Sequence, residues 1–299
     1  MSNSQPGIPA DVVIDLDLVG RLLTSQHPDL AGRTRRVMAT GWDHVMVVLG
    51  DDLVARLPRR ELGAGMIQGE QRFLRQVGPE LALPVPVPLR LGVPGAGYPY
   101  HWSVVPWLEG DPAGDETDMD QAAAAQDLGR FLATLHRPAA ADAPHNPYRG
   151  VPLHTKTADV ERRLTQLGPD IEAATLERVF SMAVDASPWP GPPLWVHGDL
   201  HPRNVLIARR RISAVLDFSD VHGGDPAIDA IIAWMLLPTQ QHRAFRHAAP
   251  SMDDTTWTRG KGWAVHLGLT VLLHGQDSGD HAFTMIGRRA LCALMESAR

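Results

Sequence analysis

Between Trp195 and Asp229 the sequence, WVHGDLHPRNVLIARRRISAVLDFSDVHGGDPAID, permits few folds. An apolar run at 194–196 leads into a polar loop from His197 to Asn204. Two further apolar bursts, 205–207 and 212–216, flank a basic turn at 208–211. Short apolar runs bounded by turn residues are buried strands, so the spacing predicts a hairpin with Asp217 at its exit. Asp199 and Asn204 lie five residues apart on the polar loop, and the hairpin brings Asp217 back toward them.

Two carboxylates and an amide oxygen make a hard-oxygen set. Such sets suit Mg2+, which keeps several waters and takes further ligands from substrate phosphates. A carboxylate beside the ion, but not needed as its ligand, accepts a proton from an attacking hydroxyl. These are the parts of a phosphoryl-transfer site. A second reading makes His197 and His201 metal ligands. Asp225, just before Pro226, has the pattern of a helix N-cap.

The chain of 299 residues is long enough for one large domain or two lobes, each with its own core. Its net charge of −6 speaks against a nucleic-acid partner, which requires a basic face. A single cysteine, Cys292, excludes an intrachain disulfide and fits a reducing compartment. The longest apolar run, 230–237, is too short to span a membrane. The first residues lack a charged segment followed by an apolar one. A cytoplasmic protein with no membrane partner is expected; the sequence leaves its oligomeric state open.

Helical spacing covers 15–23. From Arg35 the period shifts to two, predicting consecutive strands at 37–40, 45–49 and 53–57, with turns at Gly41 and Gly50–Asp52. A helix is expected over 65–77. Repeated prolines from 84 to 94 deny a central strand there. His101 to Trp107 reads as a last strand. Helices are expected up to His136 and over 155–167, 170–184, 226–237, 239–247, 255–274 and 280–298. Six acidic residues fall within Glu109–Asp120. They form either a rim for an amine-bearing ligand or a solvated linker ending in a capping box at Asp118 and Gln121.

The series HGDLHPRNVL…AVLDFSD…DPAID resembles the catalytic segment of the aminoglycoside phosphotransferase family, small-molecule kinases with a protein-kinase-like fold. That resemblance implies an α+β, two-lobe protein: residues 1–106 as a small antiparallel sheet plus helix, 107–299 as a mainly helical lobe. It implies that Asp199 is the catalytic base, that Asn204 and Asp217 hold Mg2+, and that Asp229 ties down the catalytic loop. It implies that the strand cation is Arg56, where the family usually has Lys, with Arg59 and Arg60 as competitors for the role. Arg offers a fork where Lys offers a point charge, so the two are not equivalent. Glu70 would hold that cation, the turn from Gly41 to His44 would cover the phosphates, and Pro106, Trp107 and Leu108 would meet the purine.

By the same resemblance the donor is ATP or GTP and the acceptor is a hydroxyl of an antibiotic-like molecule. An aminoglycoside would use Glu109–Asp120 and Asp220. A macrolide would use apolar walls from Trp189, Trp234, Met235 and Trp263. A metabolic alcohol or sugar kinase, and a non-catalytic nucleotide-binding module, are the alternatives.

Overall fold

The computed structural model describes residues 9–41, 43–114 and 118–298. The chain divides into two compact units. The first holds the residues up to Glu80, then Pro84–Leu108 and Asp217–Ser219; the second holds the remainder.

In the first unit, helix α1 (Leu16–Gln26) starts at Asp15, whose carboxylate accepts a hydrogen bond from the Leu18 N–H at 2.7 Å. Leu18, Val19, Leu22 and Leu23 form its buried face. They share a core with Val47, Leu57 and Trp102. Strands β1 (Arg35–Thr40), β2 (His44–Leu49) and β3 (Leu53–Pro58) follow as an antiparallel meander. After helix α2 (Glu61–Val77), strands β4 (Arg90–Gly92) and β5 (Trp102–Pro106) complete a five-stranded sheet in the order β1-β2-β3-β5-β4. The proline-rich segment stays outside the sheet until Arg90, where a three-residue edge strand forms.

Strand β3 is central and buried along its whole length. An arginine at its middle must therefore find partners, because an unpaired buried charge is too costly to keep. Helix α2 begins four residues before the expected Gly65. Gly63 allows this early start: a Cβ there would lie 2.8 Å from Cβ of Asp43.

In the second unit, helix α3 (Gln121–Leu135) is capped by Asp120, which accepts from the Ala123 N–H at 3.0 Å. The expected cap at Asp118 is therefore two residues early; Asp118 instead meets Arg210 at 2.6 Å on the surface. Helices α4 (Thr157–Leu164) and α5 (Ala173–Val184) precede strand β7 (Leu194–Val196). The expected hairpin is β8 (Val205–Ala208) with β9 (Arg211–Val215). Its two turn residues, Arg209 and Arg210, have φ of 50° and 64°, the sense of twist that closes a two-residue hairpin.

Two strands too short to show a period in the sequence complete the small sheets. Strand β6 (Asp111–Pro112) pairs with β8, and β10 (His222–Gly224) pairs with β7. Helices α6 (Ile231–Leu236), α7 (His242–Ala248), α8 (Asp254–Ser278) and α9 (His281–Glu296) complete the unit. Helix α8 is its central rod. It ends at Gly279 in the left-handed conformation, φ 72°, and Asp280 caps α9 immediately afterwards. Trp234, Met235 and Trp263 are buried in the core, so they furnish packing and not the walls of an open pocket. An antiparallel sheet in the first unit and a largely helical second unit make the α+β architecture expected from the sequence.

Candidate active site

The polar loop after β7 is held from below by Asp229. This carboxylate is fully buried and accepts from the backbone N–H groups of His197 at 2.8 Å and Gly198 at 2.9 Å. The His136 ring lies 3.1 Å from the same carboxylate. Burial pushes Asp229 up, but these hydrogen bonds and the two neighbouring histidines outweigh it and hold the group below the usual carboxylate range. Gly198 turns the chain with φ of 81°, and a Cβ there would lie 2.7 Å from the Asp220 carbonyl. Glycine is thus required on both conformational and steric grounds.

Asp199 follows. Its N–H donates to His197 Nδ1 at 3.2 Å, and its carbonyl accepts from Asn204 Nδ2 at 3.0 Å. With Nδ1 accepting, His197 donates from Nε2 to the Leu216 carbonyl at 2.9 Å. Both ring nitrogens are committed, which removes His197 as a metal ligand. The Asp199 carboxylate is about one-quarter exposed and meets Arg149 Nη1 at 2.9 Å. His201 Nε2 lies 3.5 Å from its other oxygen. Burial pushes Asp199 up, yet Arg149 and His201 pull it far below the ordinary carboxylate value.

Asn204 is buried, and its amide nitrogen is spent on the Asp199 carbonyl, so its oxygen is the side chain's remaining acceptor. Its own carbonyl accepts from the N–H of Leu216, the residue before Asp217. Arg203 anchors the loop from the other side through Asp280 at 2.7 Å and the Phe283 ring at 4.4 Å.

In the first unit, Arg56 is 5% exposed at the centre of β3. Its guanidinium donates to Glu70 on α2, to Asp217 at 2.7 Å and to Ser219 Oγ at 2.9 Å. Burial alone would lower its pKa; Glu70 and Asp217 more than compensate, so the fork stays charged. Burial drives Glu70 up to about 7 against the pull of Arg56, and the second carboxylate, Asp217, adds to the rise. Asp217 adopts φ of 59°, a strained backbone for a residue with a Cβ.

Arg59 and Arg60 follow β3 and reach back to Gly41 and Asp43 instead. Arg59 donates to the Gly41 carbonyl at 3.3 Å, and Arg60 meets Asp43 at 3.0 Å. His44 is buried, with Nε2 unpartnered among the described residues. Burial and Arg56 lower it to about 3, so it enters as a neutral imidazole. The turn that would cover phosphates includes Trp42, which lies outside the described residues. In the segment after β5, the Trp107 N–H donates to the Asp52 carbonyl at 2.7 Å. Pro106 has no N–H, which leaves Leu108 as the donor of that trio not spent among the described residues.

Of the acidic segment, residues 115–117 lie outside the described residues; Asp118 and Asp120 have the structural duties given above, and Asp111 lies on β6. Asp220 accepts from Asn146 Nδ2 at 2.6 Å. Asp225 caps the turn before α6 and forms an ion pair with Arg259 at 2.6 Å.

Three residues of this arrangement carry no signal in the loop motif: Arg149, Asn146 and Ser219. Only the Asn146-Pro147 dipeptide, a turn marker, points to the first two.

Residues 34–263 match the phosphotransferase enzyme family. Over 240 residues the chain is 26% identical to uncharacterized protein YcbJ of Bacillus subtilis (strain 168), covering 72% of this chain and 74% of that protein. Its fold is similar to that of the GDP and kanamycin complex of APH(2")-IIIa, with a TM-score of 0.67, 18% identity, and 93% and 98% of the two chains covered. Macrolide 2'-phosphotransferase MphH from Brachybacterium faecium, as apoenzyme, gives 0.63 at 24% identity over 92% and 98%. These solved proteins share the two-part architecture, a sheet-bearing unit and a helical one. With more than two-thirds of its length matched to the family, and the motif residues on the elements described above, the chain belongs to the phosphotransferase enzyme family.

Proposed function

We propose that the protein is a small-molecule O-kinase that transfers the γ-phosphate of ATP or GTP to an acceptor hydroxyl. The observation that carries this reading is the Arg56 fork, which joins Glu70 and Asp217 and leaves the Asp217 side chain about half exposed. Asp199 accepts the hydrogen bond of the acceptor hydroxyl and takes its proton as the new bond forms. Arg56 holds the nucleotide's phosphate tail, with Glu70 fixing its direction. The backbone around His44 covers the phosphates, and Leu108 N–H offers the donor for the purine between Pro106 and Trp107.

The donor set fits Mg2+: an amide oxygen at Asn204 and a carboxylate at Asp217 are hard ligands, and substrate phosphates and waters supply the others. When bound, the ion neutralises developing charge on phosphate oxygens. A fold neighbour in complex with GDP and kanamycin, and another named a macrolide 2'-phosphotransferase, support a nucleotide donor and a hydroxyl-bearing acceptor of antibiotic type, an aminoglycoside or a macrolide. A metabolic alcohol or sugar is the second reading. It is favoured by the core position of Trp234, Met235 and Trp263, which removes three of the apolar walls a macrolide would use.

The test is purified protein with Mg2+ and ATP or GTP separately, against aminoglycosides, macrolides and small polyols, with phosphorylated product read by mass. A product with any acceptor supports the reading. No product and no nucleotide turnover would overturn it. Arg56→Lys keeps the charge but not the fork that reaches two carboxylates. Loss of one charge-assisted bond is expected to raise the nucleotide KM roughly 10-fold. An unchanged KM would transfer the phosphate-holding role to Arg59.

A further inference from the structure

We infer that Arg149 is a positioning residue for the phosphoryl transfer proposed above, locking the Asp199 carboxylate in the orientation from which it meets the acceptor hydroxyl. The inference rests on that function. Arg149 Nη1 lies 2.9 Å from Asp199 Oδ1 and donates to the Gly198 carbonyl at 3.3 Å. Beyond that one carbonyl the loop backbone has its own anchors: Asp229 fixes the N–H groups of His197 and Gly198, and Asn204 fixes the Asp199 carbonyl. What Arg149 adds is a hold on one carboxylate oxygen. The other oxygen has His201 Nε2 at 3.5 Å, and the side chain remains about one-quarter exposed.

Arg149 is itself built into place. Buried Asn146 accepts from the N–H groups of Tyr148 and Arg149, both at 2.9 Å, and donates to Asp220 Oδ1 at 2.6 Å. Gly150 then packs so tightly that a Cβ would lie 2.9 Å from the His222 ring. A cation supported by this second tier, aimed at a carboxylate that is itself open, is the arrangement of a pre-set functional group. The pair also cancels charge, so the site's central carboxylate does not act alone as an anchor for an acceptor amine.

The experiment compares Arg149→Ala and Arg149→Lys with the wild-type chain, using Mg2+ with the nucleotide and acceptor that the panel identifies. Where no acceptor is found, slow nucleotide hydrolysis is followed instead, with water in place of the hydroxyl. Expected for Arg149→Ala is a fall in kcat of about 100-fold, the cost of a misplaced reacting group, with the nucleotide KM unchanged. Arg149→Lys, or guanidinium chloride added to Arg149→Ala, should restore part of kcat. A kcat within twofold of wild type, or a loss that neither lysine nor guanidinium repairs, overturns the inference. A second measurement needs no turnover: melting temperatures of Arg149→Ala, Asp199→Asn and the double variant. Non-additive shifts support the coupling and additive ones overturn it. Wild-type protein that turns over no nucleotide refutes the proposed function instead, and the melting cycle then decides the Arg149–Asp199 hold by itself.

Discussion

Asp199→Asn is expected to lower phosphoryl-transfer turnover by about 10²–10⁴-fold, the usual contribution of a positioned acid–base group. The substitution keeps the shape and an oxygen for Arg149 but removes the charge. Asp199 is held well below the carboxylate range, so it is ionised throughout the neutral range. A carboxylate that acidic is a weak base toward a ground-state alcohol. In the proposed transfer its part is to orient the hydroxyl and to take the proton late, once the oxygen is already bonding to phosphorus. That order suits a loose transition state, in which positioning supplies most of the catalysis. Nucleotide affinity, measured separately, should change little. Turnover within a few-fold of wild type would remove Asp199 from the chemistry.

Asp229→Ala should produce the largest loss of stability. The carboxylate is fully buried, and its removal leaves two backbone N–H groups and the His136 ring without their acceptor. Breaking one partner of such a buried set costs about 3–5 kcal/mol. The effect is pH-dependent, and its sign follows from the lowered value of Asp229. A carboxylate depressed in the folded state contributes its full stability above its unfolded pKa and loses it as the pH falls through the folded one. The gap in melting temperature between wild type and variant should therefore be constant near neutrality and close in acid. A gap that widens in acid would contradict the assignment.

The sheet of the first unit was legible because its apolar runs and its punctuation agree. Short, nearly continuous apolar runs fill β2 and β3, and Gly50 with two aspartates marks their turn. The loop from His197 to Asn204 was legible for the same reason, a polar run between two buried ones. Misreadings occurred where tertiary contacts decide the outcome. The apolar face of α2 shows only from Met66 onward, so its first turn, where Gly63 passes close to Asp43, carries no periodic signal. Asp118 and Asp120 are equally good caps on local grounds, and only the start of α3 at Gln121 separates them. Strands β6 and β10, of two and three residues, are too short to show alternation. Arg149 could not be assigned from sequence, since its partner Asp199 lies fifty positions away and the intervening loop has no period.

Asp217 stands in a backbone conformation that side-chain-bearing residues avoid, at φ 59°. A left-handed residue with a Cβ forfeits up to about 1–2 kcal/mol, less for Asp, whose carboxylate here accepts locally from the Ser219 N–H at 3.4 Å. Glycine would relieve that strain and leave Arg56 still bonded to Glu70 and Ser219. A screen that rewarded heat resistance alone would thus be drawn to the position where the proposed chemistry can least spare its side chain. Robustness and activity pull in opposite directions at this single bend.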